Sequence, residues 1–164
     1  DNGVEFNKHE QITFWHDVIR QLNQAHIEWK LFCNGLEADY DFLLEIAEIL
    51  NITKENILER PRSADEIVDQ ITKFKGIIAY RLHAAIIAYS FGIPCVEPIW
   101  NDKQRIFGES INRAFCFVDC SDINGSMILD KLKQAEEINF DVKKFNDSRE
   151  RTYEFIKNFI KIYG

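Results

Sequence analysis

Short apolar runs alternate with segments of helical periodicity along this 164-residue chain. Between His9 and Gln24 the apolar residues recur at steps of three and four, which predicts an amphipathic helix. From Ile27 to Asn34 apolar and polar residues alternate, and the run stops at an Asn-Gly turn, which predicts a strand. Such alternation implies right-handed crossovers, so we expect a single α/β domain with a Rossmann-like parallel sheet and helices on both faces.

The rest of the chain follows the same pattern. Ser63 and Glu66 have the spacing of a capping box, in which each side chain bonds to the backbone N–H of the other residue, so a helix is expected from Ala64 to about Lys73. The apolar run 82–91 predicts a helix buried against several neighbours. Other helices are predicted over 41–50, 103–112, 121–136 and 148–162, an extra turn over 53–58, and strands over 76–80, 93–98 and 114–119.

The amino-acid composition excludes one class of binding partner. The chain carries 20 Lys and Arg against 27 Asp and Glu, a net charge of −7, which argues against binding to a nucleic-acid backbone through released counterions. Hydrophobic residues make up 46% of the sequence, enough for a core that needs no disulfide and no structural metal. We therefore expect no nucleic-acid partner.

Cysteine usage and hydropathy indicate the compartment. Cys33, Cys95 and Cys116 lie in apolar runs and are expected to be small buried hydrophobes. Cys116 and Cys120 are four residues apart without a second such pair or a nearby His, so no zinc site is expected. No run approaches 18 consecutive apolar residues, and the first residues lack the pattern of a signal peptide. These features predict a cytoplasmic protein, soluble or at most peripheral to a membrane.

Two turns between a predicted strand and a predicted helix carry candidate binding residues. Strand 76–80 runs into Arg81 and His83 at the start of a helix, whose unpaired N–H groups and positive dipole end favour an anion. Strand 93–98 delivers Trp100, Asn101 and Lys103, which add a cation and hydrogen-bonding groups. Ligands of open α/β sheets bind beyond the carboxyl ends of the strands, so the two turns could hold a small di-anion. In the alternative interpretation Arg81 pairs with a surface carboxylate, His83 is a buried imidazole bonded to a backbone carbonyl, and Lys103 is solvated.

The stretch 76–112 contains an Arg-Leu-His-Ala box at 81–84, a Gly-Ile-Pro turn at 92–94 and a Trp-Asn-Asp-Lys turn at 100–103. In this order and spacing the three motifs resemble the C-terminal signature of the polysaccharide pyruvyl transferase family. Two positions depart from it. Trp100 stands where the family usually has Tyr, and Asn101 where it typically has Asp, which puts a role for that carboxylate in doubt here.

The resemblance implies transfer of the enolpyruvyl unit of phosphoenolpyruvate to two hydroxyls of a saccharide acceptor. The products are a pyruvate ketal and phosphate, in the biosynthesis of surface or exopolysaccharide. By this resemblance Arg81 would hold the phosphate or carboxylate of phosphoenolpyruvate, and His83 would be the general acid toward the enol carbon or the bridging oxygen. Lys103 would be a further anion contact, and Trp100 and Asn101 would complete the substrate site. Phosphoenolpyruvate is the donor substrate, and the scheme requires no cofactor and no metal.

Other functions fit the same residues. Arg81 and Lys103 could instead hold the diphosphate of a nucleotide sugar in one half of a GT-B glycosyltransferase or epimerase, although such a site has less need of His83. A non-catalytic interaction domain derived from such an enzyme is a third candidate. Glu97, at the carboxyl end of a strand, is expected to pair with Lys103 in preference to acting as a base toward the acceptor.

The family resemblance also implies a GT-B-like architecture, in which two Rossmann-like domains face each other across a cleft. A length of 164 residues supplies one of them, so we expect residues 1–164 to be the C-terminal domain of a longer protein, able to fold but inactive alone. No strand is predicted before the first helix, although a Rossmann-like sheet normally opens with one. The sheet is therefore expected to present an open edge, through which the chain could form a dimer.

Overall fold

The computed structural model describes residues 7–121, 123–138 and 140–163 of the chain. Between residues 64 and 137 helices and short strands alternate, as the sequence pattern predicts, whereas in the described residues before 64 no strand lies between the helices. The helices are α1 Lys8–Gln24, α2 Glu37–Ile49, α3 Ala64–Ile71, α4 Leu82–Ser90, α5 Asp102–Ser110, α6 Gly125–Glu137 and α7 Val142–Tyr163. The strands are β1 Ile77–Ile78, β2 Cys95–Ile99 and β3 Phe117–Asp119, and short 3-10 turns span Lys54–Asn56 and Ala114–Cys116.

The strands form a parallel sheet in the order β1-β2-β3. Ile77 lies opposite Cys95, and Glu97 lies opposite Phe117. The α/β class and the parallel sheet are therefore confirmed. Because the strands are parallel, their carboxyl ends share one edge of the sheet, and the turns that follow β1 and β2 are neighbours there.

Two hydrophobic clusters cover the two faces of the sheet. Successive side chains of a strand point to opposite faces, and β2 shows this directly. Cys95 and Ile99 pack with residues of α3, α4 and α5, whereas Val96 packs with residues of α1 and α6. Helices thus lie on both faces, as predicted, and the cluster with α1 and α6 contains the buried residues Phe14, Val18, Leu22, Val96, Val118, Ile128 and Leu129.

The segment Ile27–Asn34, predicted as a strand, is not part of this sheet. It makes one isolated parallel bridge, between Leu31 and Ile57. The Leu31 N–H donates to the Asn56 carbonyl at 2.7 Å, and the Leu31 carbonyl accepts from the Leu58 N–H at 2.9 Å. On its other side the segment lines a cavity that also borders β1. The prediction fails because alternation marks an extended segment, while a strand also needs a continuous run of pairing, and this segment makes a single bridge.

Helix α4 is less enclosed than its apolar sequence predicts. Ala84, Ala85 and Ala88 are buried, but His83 and Ile86 are exposed. A helix that is apolar nearly all round carries no periodic signal to show which face is covered. The small alanine face is the one that packs against the sheet.

Several boundaries differ from the predicted ones. The Ser63 hydroxyl accepts from the Glu66 N–H at 3.2 Å, but the Glu66 carboxylate accepts from the Arg62 N–H at 2.6 Å, so the return bond of the capping box goes to the neighbouring residue. Residues 114–116 form a 3-10 turn before β3. Helix α7 starts at Val142, ahead of the predicted start at 148. Within the described part of the chain, no helix combines the length and apolar character needed to cross a bilayer.

Helices α1 and α6 meet at Gly125, the first residue of α6. The Asp17 carboxylate of α1 accepts from the Gly125 N–H at 2.6 Å and also binds the guanidinium of Arg20. A Cβ atom on Gly125 would lie 2.7 Å from the backbone carbonyl oxygen of Asp17. The absence of a side chain here allows the two helices to touch.

We predict that Gly125→Ala lowers the free energy of unfolding by about 1–3 kcal/mol, because the backbone of α1 must move away from the added methyl group. Ser126→Ala, at the next and exposed position of α6, is the matched control and should change it by less than about 0.5 kcal/mol. Urea unfolding followed by circular dichroism measures both variants. Equal midpoints for the two would contradict this close contact.

Candidate anion-binding site

Trp100 joins the two turns at the carboxyl edge of the sheet. Its indole stacks on the ring of Tyr80, with ring centroids 6.0 Å apart and an interplanar angle of 17°. Its Nε1–H donates to the Tyr80 carbonyl oxygen at 2.8 Å. The end of β1 is thereby fixed to the end of β2, and the turns that carry Arg81 and Asn101 lie side by side.

Arg81 is the N-cap residue of α4 and pairs with Asp39 of α2. Its Nε–H donates to Oδ2 at 3.1 Å and its Nη2–H donates to Oδ1 at 2.5 Å, a bidentate fork. The side chain of Arg81 is 44% exposed and that of Asp39 is 17% exposed. The alternative in which Arg81 pairs with a carboxylate is confirmed. Because Asp39 engages two of the five guanidinium N–H donors, the others can serve a second anion.

His83 lies in the first turn of α4 with its side chain exposed. In the ranges that the structure describes, no hydrogen bond joins its imidazole to another residue. The alternative of a buried imidazole bonded to a backbone carbonyl is therefore wrong. The physical reason is the packing of α4 through its alanine face, which leaves the His83 face open to solvent.

Asn101 caps α5. Its Oδ1 accepts from the backbone N–H of Lys103 at 2.9 Å, and its own N–H donates to the side-chain Oε1 of Gln104 at 3.0 Å. These bonds belong to a capping box, so the Asn101 side chain has a structural contact in addition to its predicted role toward substrate. The side chain of Lys103 is exposed at the same turn, as the alternative interpretation expects.

Glu97, predicted to pair with Lys103, is buried instead. Glu97 and Gln104 both have an exposed fraction of 0%. The Gln104 Nε2 donates to Glu97 Oε1 at 2.8 Å, while Gln104 Oε1 accepts from the N–H groups of Trp100 and Asn101 at 2.9 and 3.0 Å. One amide thus connects the core of β2 to the turn that carries the candidate residues.

The surroundings of Glu97 favour its neutral form. Burial raises the pKa of Glu97 to about 7, and the hydrogen bond from Gln104 opposes part of that rise in the pKa. Its Oε2 has no hydrogen-bond partner in the described part of the chain. A charged carboxylate would lack compensation at this atom, so the proton stays bound at mildly acidic pH.

The raised pKa of Glu97 makes stability depend on pH. Between the ordinary pKa of 4.5 and the folded-state pKa of about 7, the folded chain keeps a proton that the unfolded chain has released. The free energy of unfolding therefore falls as the pH rises through this window. Glu97→Gln removes the titration, so we predict that the variant gains about 2 kcal/mol relative to the parent chain between about pH 5 and pH 8.

Urea unfolding across this pH range measures the gain. Glu109→Gln, at an exposed position of α5, is the control and should show no comparable change. A constant difference between the Glu97 variant and the parent chain at every pH would contradict the buried carboxyl.

A cavity of about 1230 Å³ opens beside the candidate site. At the carboxyl edge of the sheet it is lined by Asp39, Tyr80, Arg81 and Trp100. Lys75, which precedes β1, lines it at the opposite edge. Sequence reasoning missed this cavity and the Asp39 contact, because both depend on where α2 lies relative to the turn after β1.

The cysteines are free thiols, and burial raises the pKa of Cys116 and of Cys120 to about 11. Cys33 and Cys116 are buried as predicted, whereas Cys95 is half-buried. Across the described ranges, no group of three or more His, Cys, Asp or Glu side chains is placed to hold a metal.

The fold and the site define an α/β domain with a cation and two helix N-termini at the carboxyl edge of a parallel sheet, the class in which ligands bind at that edge. A family model described as polysaccharide pyruvyl transferase matches residues 6–103, more than half of the chain. Within this class, the chain therefore belongs to the polysaccharide pyruvyl transferase family. The matched range contains the candidate residues Arg81, His83, Trp100, Asn101 and Lys103. Comparison with curated proteins and with solved structures gives no match.

Proposed function

We propose that this chain carries the donor side of a site that transfers the pyruvyl group of phosphoenolpyruvate to saccharide hydroxyls, in surface or exopolysaccharide biosynthesis. The observation that carries the proposal is the family match over residues 6–103, which includes both turns of the candidate site. The geometry agrees with it, because an anion at this edge would meet Arg81 and the N-terminus of α4 together.

Arg81 binds the phosphate or carboxylate of phosphoenolpyruvate. Asp39 holds the guanidinium in one orientation through two N–H groups, and a bound anion accepts from the others. Asp39 also cancels the formal charge of Arg81. Further attraction therefore comes from the exposed ammonium of Lys103 and from the helix N-termini.

His83 supplies the proton for the addition step. The imidazolium protonates the methylene carbon of phosphoenolpyruvate, and the first sugar hydroxyl bonds to the oxocarbenium-like carbon that results and loses its own proton. The bond from that carbon to the phosphate oxygen then breaks, and the second hydroxyl closes the ketal. The protons of the two hydroxyls balance the one added to carbon and the one taken up by phosphate. Positive groups at the turns stabilise the charge that grows on the leaving phosphate.

Trp100 and Asn101 are uncharged and contribute to the donor site by fixing the positions of neighbouring groups. The indole of Trp100 is fixed by Tyr80, and the Asn101 side chain fixes the backbone at Lys103. Glu97 has no part in proton transfer in this proposal, because it is buried and bonded to Gln104.

Replacing the guanidinium group of Arg81 should weaken the binding of phosphoenolpyruvate. Arg81→Lys keeps the charge but loses the two-point geometry, so we predict that the Kd for phosphoenolpyruvate rises about 10- to 100-fold by isothermal titration calorimetry. Arg105→Lys is the matched control. Arg105 forms an exposed ion pair with Asp119 at 2.8 Å, and its replacement should leave the Kd within about threefold. Equal effects of the two variants, or tighter Arg81-dependent binding of a UDP-sugar, would contradict the donor assignment.

Replacing His83 should separate binding from chemistry. In the complete gene product, His83→Ala should bind phosphoenolpyruvate nearly as well as the parent, while ketal formation followed by NMR of the new methyl group falls by about 100-fold or more. His16→Ala, at an exposed position of α1, is the control and should leave the rate unchanged. Full activity of the His83 variant would exclude it as the general acid.

A further inference from the structure

Among the residues that the structure describes, no strand lies beside one edge of β1. The N–H of Ile77 donates to the Pro94 carbonyl at 2.8 Å, and the N–H of Ala79 donates to the Val96 carbonyl at 2.9 Å, so both point toward β2. Backbone groups of successive residues in a strand point to opposite edges. The N–H and carbonyl of Ile78 therefore point the other way, toward the cavity that Ile78 lines.

The segment 27–34 borders the same cavity from the other side. Leu31 uses its N–H and carbonyl for the bridge with the chain around Ile57, so the backbone groups of Lys30 and Phe32 point toward the cavity. Over the described ranges, no hydrogen bond crosses from this segment to β1. The segment leads into α2, whose Asp39 binds Arg81 directly after β1, so segment and strand run toward the same edge.

The two remaining walls of this cavity each contain apolar side chains. Val18 and Leu22 of α1 line one side, and Phe74 and Ala84 line the other. The two pairs belong to the two hydrophobic clusters on opposite faces of the sheet. A strand that is covered on both faces is a nearly continuous apolar run, so these walls match an extended apolar segment.

The start of α1 lies at the mouth of the same cavity. Asn7, the N-cap of α1, lines it, and so does Lys8, which pairs with Glu45 of α2 at 2.6 Å. Helix α1 ends just before the segment that runs to the carboxyl edge, so α1 itself begins at that edge. A strand parallel to β1 would end there and could lead straight into α1.

We propose that the cavity between Leu31 and Ile78, the strand slot, receives one apolar β-strand parallel to β1, supplied by the polypeptide on the N-terminal side of α1. On one edge, the added strand forms backbone hydrogen bonds with the N–H and carbonyl of Ile78. On its other edge, it forms backbone hydrogen bonds with Lys30 and Phe32. The resulting order, from the Ile57 segment through Leu31, the added strand, β1 and β2 to β3, is that of a doubly wound sheet.

Hydrogen exchange tests the proposal on the 164-residue chain and on the same chain with an N-terminal extension. The extension is a run of about five Val and Ile residues, the usual length of a strand, with Lys at each end for solubility. A matched control carries Pro at alternate positions of the run and cannot pair. We expect the Ile78 amide to exchange at least about 100-fold more slowly with the pairing run than with the proline run. The Ala79 amide, already bonded to Val96, is the internal reference and should change much less.

Three results would overturn the proposal. The first is an Ile78 amide that neither run protects from exchange. The second is an Ile78 amide that both runs protect from exchange to the same degree, which would indicate apolar burial without strand pairing. The third is a slow Ile78 amide in the unextended chain together with a dimer in sedimentation, which would assign the slot to a second copy. Ile78→Pro provides a further check. We expect the pairing run to raise the urea midpoint of the chain, and Ile78→Pro should abolish that rise because it removes the N–H that faces the slot.

Discussion

The side-chain amide of Gln104 holds the carboxyl edge of the sheet together. It donates to the buried Glu97 and accepts from the N–H groups of Trp100 and Asn101, so it satisfies three partners. Leaving buried groups of this kind without partners costs about 1–3 kcal/mol each. Trp100, once fixed, binds the carbonyl of Tyr80, and the next residue along the chain is Arg81. The position of the guanidinium thus depends on an unbroken series of contacts from the centre of β2.

Local charge explains how an acidic chain can offer an anion site. The net charge is −7, and the cations Arg81 and Arg105 at this edge already pair with Asp39 and Asp119. These pairs orient the guanidinium groups more than they add attraction, since exposed ion pairs contribute little net energy. The attraction for an anion rests on Lys103, on unused guanidinium donors and on helix N-termini, all of which act over short distances.

The structural elements that depend on local residue periodicity could be predicted from the sequence. The starts of α1, α3, α4 and α5, the three strands of the sheet, and the turn with Arg81 and His83 follow from patterns within a few residues. Helices α2, α6 and α7 start four to six residues from their predicted positions. The capping box of α5 was not predicted, although Asn101 and Gln104 have the required spacing. Features that depend on distant partners were not predictable. Glu97 was expected to pair with Lys103, and only the approach of α5 over β2 shows why it is buried.

Segment 27–34 shows the same limit. Its alternating pattern correctly marks an extended chain, but a strand also needs a continuous run of pairing, and among the described residues the segment makes one bridge, with Ile57. The open edges of this segment and of β1 also explain the size of the cavity between them. Sheet completion and ligand binding remain separate questions, because the strand slot lies between strands and the anion site lies beyond their carboxyl ends.

In the proposed function, the two turns after β1 and β2 form one donor site. Titration of the isotope-labelled chain with phosphoenolpyruvate, followed by proton–nitrogen NMR, tests it most directly. We predict that the largest shift changes fall on the backbone amides of Leu82, His83, Asp102 and Lys103 and on the Arg81 Nε–H, all with one common Kd. Changes confined to other parts of the chain, or shifts at the two turns that titrate with different affinities, would contradict it.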